Sequence, residues 1–225
     1  MRSSQSSKIF YLRTSHRTAL RAPLKPSMIT IAVTGGIGAG KSETVNILER
    51  LGARTVNADL LGHAAYAKGT AGHSEVRDTF GEQVIGDDGE IDRKTLGNIV
   101  FADPTKRRAL ETIVWRRIRE MLEKALARNA ERGVALTVIE AAVLYEAGWE
   151  VLADHVWTVE ASYHQRLARI MQNTGLPERD VRQRIDAQLA PETRIERAET
   201  TICNDGDLTQ LEQRVSALWE TITNE

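Results

Sequence analysis

Between Ile29 and Ser42 the chain reads ITIAVTGGIGAGKS, a stretch that leaves a polypeptide few conformational choices. An apolar, β-branched run (Ile29, Ile31, Val33) stops at Thr34, and four glycines follow within six positions: Gly35, Gly36, Gly38 and Gly40. Lys41-Ser42 then opens a segment with apolar residues at helical spacing (Val45, Ile47, Leu48, Leu51), which Gly52 ends. Strand, glycine-rich turn and helix in that order fit G-x-x-x-x-G-K-[ST], the phosphate-binding P-loop. Glycines let successive backbone N–H groups turn inward around a polyphosphate where a Cβ would clash. On this reading Gly36, Ile37, Gly38, Ala39, Gly40, Lys41, Ser42 and Glu43 form the loop that binds a nucleotide triphosphate. Lys41 reaches the β- and γ-phosphates, Ser42 holds Mg2+, and the helix N-terminus adds partial positive charge. The alternative is a glycine-rich turn without a ligand. The spacing is not the G-x-G-x-x-G of a dinucleotide fold, in which Lys41-Ser42 has no role.

The 225 residues suffice for one domain with insertions. No apolar run approaches the ~20 residues of a membrane span. A single cysteine, Cys203, excludes a disulfide within the chain and a cysteine-rich zinc site, and points to a reducing compartment. The formal net charge of −1 is unevenly spread. Residues 1–27 carry six basic side chains and no acid; without them 24 basic residues face 31 acidic ones, a balance of −7. That balance argues against nucleic-acid binding through a broad basic face. The acid-free, Ser- and Arg-rich residues 1–27 suit an organellar transit peptide; an upstream start, with Met28 as the true initiator, explains them equally well. Either way a disordered extension is expected there.

Ala53–Ala58, Val134–Glu140, Asp154–Glu160 and Thr200–Cys203 read as further strands, alternating with helical segments. The predicted fold class is therefore α/β, a P-loop-type parallel sheet of about five strands flanked by helices. Between strands two and three, residues 60–131 are largely helical, with stretches near Leu60–Tyr66, Ser74–Phe80, Arg93–Phe101 and Thr105–Ala130. Asp103-Pro104 supplies an N-cap and a first-turn proline for the last. An insertion of this size suits a second substrate. Asp87–Asp92 resembles half a calcium loop, but later ligands are missing and a turn is the better reading. Residues 163–198 form an arginine-rich helical excursion, with Pro177 and Pro191 where new helices begin.

Such a chain could hydrolyse a nucleotide, switch on it, or transfer its γ-phosphoryl group. The guanine motif N-K-x-D is absent, and Asp59–Gly62 spells D-x-x-G only by accident of position. Glu140 ends a Walker-B-like strand, which an ATPase would share. The layout favours a small-molecule kinase, in which a lid with arginines excludes water and neutralises charge.

The segments TGGIGAGKS (34–42), NADLLGHAAY (57–66), IDRKTLGNIVF (91–101), VIEAAVLYEAGW (138–149), Arg166–Arg194 with Gln188, and ICNDG (202–206) together resemble dephospho-coenzyme A kinases. The Glu140–Trp149 and Trp115 stretches look most like the kinase domain of bifunctional CoA synthases, although there is no room for their adenylyltransferase domain. The resemblance implies transfer of the γ-phosphoryl group of ATP to the ribose 3′-hydroxyl of dephospho-CoA, with Mg2+ as cofactor. It implies catalytic roles for Asp59, Lys41 and Arg169, and ATP contacts from Arg169, Arg194, Asn204 and Gly206 beside those of the loop. Substrate contacts fall on Asp59, His63, Arg93, Glu140 and Leu144. Asp59 would orient or deprotonate the 3′-hydroxyl, help worth about 10²–10⁴-fold; its alternative role is as N-cap of the following helix. Without the resemblance, any one lid arginine reads as a solvated helix face. The implied organisation is a core of 28–59, 132–162 and 199–225, a CoA-binding insertion of 60–131 and a lid of 163–198. ATP and dephospho-CoA are the implied partners, with no nucleic acid and no membrane, a monomer favoured, and a cytoplasmic setting unless residues 1–27 direct the chain to an organelle.

Several positions depart from the family pattern. Glu43 stands where a threonine is usual, Asn57 for the first aspartate of D-A-D, and His63 for a frequent arginine. Trp115-Arg116 replaces His-Pro, Ala142 a proline, and Asn173 a second lid arginine. None removes the P-loop or Asp59, so an active kinase with a divergent acceptor pocket is expected. Two readings remain beside it: a kinase for another nucleotide or small metabolite, and a nucleotide-dependent switch without transfer chemistry.

Overall fold

The first strand, β1 (Ile29–Gly35), is the axis of the sheet, because Ile31, Ala32 and Val33 are wholly inaccessible to solvent. A strand covered on both faces belongs at the centre of a parallel sheet. The computed structural model describes residues 28–224; the expected extension of residues 1–27 lies outside them. β1 pairs in parallel with β3 (Leu136–Glu140) on one side and β4 (His155–Glu160) on the other. β4 in turn pairs in parallel with β5 (Thr200–Cys203), and β2 (Arg54–Asn57) completes the order β2-β3-β1-β4-β5. Ile31 stands opposite Val138 and His155, so the register brings Gly35 and Glu140 to the same carboxyl edge.

The helices are α1 (Lys41–Arg50), α2 (Ala58–Ala64), α3 (Ala71–Phe80), α4 (Arg93–Ala102), α5 (Pro104–Glu131), α6 (Tyr163–Thr174), α7 (Glu178–Asp186), α8 (Pro191–Arg197) and α9 (Leu208–Thr223). The chain divides into two compact units. One holds the described residues up to Thr55 and from Gly133 onward. Its core joins Ile31 and Val33 of β1, Trp157 and Val159 of β4, Leu48 of α1, and Leu211 and Val215 of α9. A smaller cluster of Leu167, Ile170, Val181 and Ile185 knits α6 to α7, with Ile37 of the glycine turn against it.

The other unit, Val56–Arg132, has its own core of Val76, Phe80, Val84, Ile91, Leu96 and Ile113. The predicted caps are present: Asp103 accepts hydrogen bonds from the amides of Thr105 and Lys106, with Pro104 first in α5. Pro177 directly precedes α7 and Pro191 opens α8. The Asp87–Asp92 segment is a turn closed by an isolated bridge between Ile85 and Ile91. One alternative is corrected. The N-cap of α2 is Asn57, whose side chain accepts from the Leu60 amide at 3.1 Å, and Asp59 lies within the first turn. Asn57 therefore has a helix-capping role that needs no acid.

Among the described residues, no helix is long and apolar enough to cross a membrane. Leu48 is fully buried between α1, the sheet and α9. Leu48→Ala should destabilise the sheet-bearing unit by about 2–5 kcal/mol, the usual cost of a buried Leu-to-Ala cavity. Urea unfolding followed by tryptophan fluorescence measures it.

Candidate functional site

β1 ends at Gly35, and α1 begins at Lys41. The turn between them is held by side chains whose own identities are fixed by burial. Gly40, at φ +105°, is the left-handed residue before α1, and a Cβ there would fall 2.2 Å from Asn204 Nδ2. Only glycine satisfies both demands. The amides that start α1 have no carbonyl partners one turn earlier, so the turn and the helix end offer N–H groups and partial positive charge at one place. Lys41 Nζ donates to the carbonyls of Gly35 (2.9 Å) and Gly36 (3.3 Å), which keeps the ammonium folded over the turn. Ser42 Oγ donates to Glu140 Oε1 at 2.7 Å. Glu140, 5 % exposed at the end of β3, is thereby joined to the first turn of α1. The Glu43 side chain is half-buried and 3.8 Å from Arg50, a pairing along the flank of α1.

Outside the turn, Asn204 Nδ2 donates to the Ala39 carbonyl at 2.8 Å, and its own amide donates to Glu160 O at 2.7 Å. Arg166 of α6 is 3 % exposed, contrary to a solvated helix face. Its Nε donates to the Ile37 carbonyl and one Nη to Gln188 Oε1, both at 2.9 Å. The same Gln188 oxygen accepts from the Ile37 amide at 2.8 Å. Burial, and secondarily the nearby Arg194 charge, lower the Arg166 pKa from its usual value. The guanidinium lies so close to Gly36 that a Cβ there would meet it at 2.5 Å.

The other lid residues divide by environment. Arg169 Nη2 lies 3.5 Å from the Gly206 carbonyl, whereas its Nη1 is enclosed with no hydrogen-bond partner. Gly206 itself is crowded by Gln210. Arg194, 2 % exposed, forks onto Glu160 through Nε (2.6 Å) and Nη2 (2.8 Å), and its Nη1 donates to the Leu189 carbonyl. Thr158 Oγ1 donates to the same Glu160 at 2.7 Å. Arg194 is thus spent on tying α8 to β4, and the free donor capacity lies with Arg169. Leu144 is completely buried, a packing side chain.

In the unit Val56–Arg132, Asp59 and His63 are exposed on α2, and Arg93 is the exposed first residue of α4. A cavity of about 910 Å³ is lined by His63, Tyr66, Asp87, Asp88, Arg93 and Lys94, among others. His63 and Tyr66 meet edge to face, with ring centroids 6.3 Å apart. Burial raises the Tyr66 pKa, partly offset by Arg93, so its phenol is a neutral donor at physiological pH. Asp92 caps α4 through the amides of Lys94 and Thr95 and accepts from the Thr95 hydroxyl, which holds its pKa below the usual aspartate value. Arg166, Gln188, Tyr66 and Lys94 had no assigned role from sequence. In the sequence Arg166 and Gln188 stand 22 residues apart, and nothing in that spacing announces the bond between them.

The sequence profile of dephospho-CoA kinases matches residues 29–210. Among similar curated proteins, a dephospho-CoA kinase of Geobacter sulfurreducens is 40 % identical over 192 residues, covering 85 % of this chain and 98 % of the relative. One of Streptomyces avermitilis is 38 % identical over 200 residues, covering 88 % and 95 %. Among solved structures, a protein of Thermus thermophilus superposes with a TM-score of 0.73 at 32 % identity, covering 87 % of this chain and 98 % of its own. The dephospho-CoA kinase of Campylobacter jejuni superposes with a TM-score of 0.66 at 25 % identity, covering 88 % and 98 %.

The Arg194–Glu160 pair is almost fully desolvated, with side chains 3 % and 9 % exposed. Arg194→Met should therefore cost about 3–5 kcal/mol, because it leaves a buried carboxylate without its partner. The double variant Arg194→Met/Glu160→Leu should recover part of that loss in thermal unfolding.

Proposed function

The chain belongs to the dephospho-CoA kinase family, a family of enzymes, and from that membership we propose how its own residues carry the γ-phosphoryl group of ATP to the ribose 3′-hydroxyl of dephospho-CoA. The observation that carries the proposal is the meeting of Lys41, Ser42 and Glu140 at the mouth of a glycine turn. Amides of the turn and of the first turn of α1 bind the β- and γ-phosphates of ATP. Lys41 gives up its bonds to the Gly35 and Gly36 carbonyls for phosphate oxygens, a neutral acceptor exchanged for a charged one.

Ser42 and Glu140 offer one hydroxyl and one carboxylate, the sparse oxygen set that suits a cation whose other ligands are waters and phosphate. We assign them as the Mg2+ residues, which moves Glu140 from substrate contact to metal site. When bound, Mg2+ would neutralise charge on the phosphates. Among the described residues, no group of three or more His, Cys, Asp or Glu side chains is arranged to hold a metal unaided. The enclosed Nη1 of Arg169 is a donor in want of an acceptor, and it takes an oxygen of the transferring group.

The acceptor belongs to the Val56–Arg132 unit, whose cavity lies within the usual range for small-molecule sites. His63, Tyr66 and Arg93 supply its aromatic edge, neutral hydroxyl and charge. Asp59 accepts the proton of the 3′-hydroxyl as that oxygen bonds to the γ-phosphorus and the bridge to the β-phosphate breaks, giving coenzyme A and ADP. Positioning and charge neutralisation supply most of the acceleration in such a transfer. Within this reading, Asn204 and Gly206 act on the nucleotide through the loop and through Arg169, and Leu144 through packing. A cytoplasmic setting, with no nucleic-acid or membrane partner, belongs to the same proposal.

ADP release with a panel of acceptors tests the reading. Turnover with dephospho-CoA and none with nucleoside monophosphates or small sugars is expected; the reverse preference would overturn it. Lys41→Ala should lower the transfer rate by about 10²-fold or more, as loss of a preorganised charge does. A near-normal rate would remove Lys41 from the mechanism. Asp59→Asn should reduce kcat while the ATP dissociation constant stays within about twofold of the parent, since the loss falls on the proton acceptor alone.

A further inference from the structure

In a trans peptide the C=O and the following N–H lie in one plane and point in opposite directions. Whatever grips the carbonyl from outside a loop therefore aims the next amide inward. Arg166 Nε holds the Ile37 carbonyl at 2.9 Å, so the Gly38 amide, in the same peptide plane, points away from α6. Gln188 Oε1 then does two things at once. It accepts from the Ile37 amide at 2.8 Å, and it accepts from Arg166 at 2.9 Å, which fixes the plane of the guanidinium. Three hydrogen bonds thus close a ring around Ile37, and both of its main-chain polar groups are committed. The Ile37 side chain packs against the cluster of Leu167, Ile170, Val181 and Ile185, which fixes the same residue from its apolar side. Asn204 repeats the arrangement two residues on, holding the Ala39 carbonyl and thereby directing the Gly40 amide.

We propose that Arg166 and Gln188 are positioning residues for nucleotide binding: as a pair they clamp the Ile37 peptides and so orient the Gly38 amide toward the phosphates. Neither side chain needs to touch the nucleotide for this effect. The inference rests on the reading of the glycine turn as the ATP site, and it leaves open which acceptor the enzyme uses. It explains why an arginine on α6 is buried although its guanidinium makes no ion pair among the described residues. Desolvating a guanidinium is costly, and neutral acceptors that fix its plane offset that cost only in part. A residue retained under such conditions carries geometry rather than net stability.

Calorimetric titration of ATP into the intact protein, without acceptor, provides the test and stands apart from the acceptor panel. Gln188→Leu changes no charge, yet it should weaken ATP and ADP about tenfold, the scale of one misdirected hydrogen bond to a charged group. The dissociation constant of dephospho-CoA should stay unchanged. Arg166→Leu should weaken ATP at least as much, and the double variant should lose little beyond the larger single loss, because both side chains act on one peptide. Arg166→Lys keeps the charge but cannot form the fork, so it should behave as Arg166→Leu. If Arg166→Lys binds ATP as the parent does, charge alone accounts for Arg166 and the clamp is refuted. Unchanged ATP affinity in Gln188→Leu, with or without a lower melting temperature, reduces Gln188 to a packing role and overturns the proposal. Tighter ATP binding in that variant would show competition for the Ile37 amide and overturn it equally. A parent protein that binds ATP but turns over no acceptor would refute the proposed reaction and leave the clamp standing.

Discussion

The first amides of a helix have no carbonyl one turn behind them, and the sheet-bearing unit is arranged around that shortage at the start of α1. Parallel pairing brings the carboxyl ends of β1, β3 and β4 to one edge, where Gly35, Glu140 and Glu160 emerge. The donors of the turn face a common point only if its carbonyls are occupied elsewhere. Lys41 takes those of Gly35 and Gly36, Arg166 that of Ile37, and Asn204 that of Ala39. The carbonyls of the turn are thus satisfied by protein, and so are the Ile37 amide, taken by Gln188, and the Ala39 amide, taken by the Gly36 carbonyl, so within the turn the proposed phosphate contacts fall to the amides of Gly38 and Gly40. The glycines are the geometric condition for it rather than its cause.

Buried charge is concentrated at the same edge. Arg166, Arg194, Glu140 and Glu160 are each less than a tenth exposed, and each is met by oriented partners. Such groups are poor sources of net stability, because desolvation cancels much of the attraction. Their value lies in fixing where α6, the α7–α8 connection and α8 meet the strands. The exposed pairs elsewhere, such as Arg182 with Glu178 and Arg119 with Glu123, contribute at most a few tenths of a kcal/mol, about as surface pairs on a helix do. They show how differently the same residue types act when exposed.

The fold was readable because its signals were local. The β-branched run before the glycines, the alternating strand and helix segments, and Asp103-Pro104 each announce an element within a few residues. β5 begins and ends at the expected residues, and the other strands differ by two residues at most. The site was readable only where a role depends on contiguous sequence, as at Gly40, Lys41 and Ser42. Arginine roles were not, since an arginine's task is set by what it faces. Nothing local separates Arg166 and Arg194, which are buried, from Arg182, which is exposed on the next helix. Asn57 shows the converse: in the sequence it is the loss of an acid from the family pattern, and in the structure it is a helix cap.

The closeness of Arg166 to Gly36 has an evolutionary corollary. The guanidinium fills the volume that any side chain at position 36 would need. The constraint is one-sided. Shortening residue 166 leaves Gly36 undisturbed, whereas a side chain at position 36 has to push the end of Arg166 aside and loosen its hold on Ile37 and Gln188. The two positions are therefore linked by steric exclusion, and a change at one alters what the other tolerates.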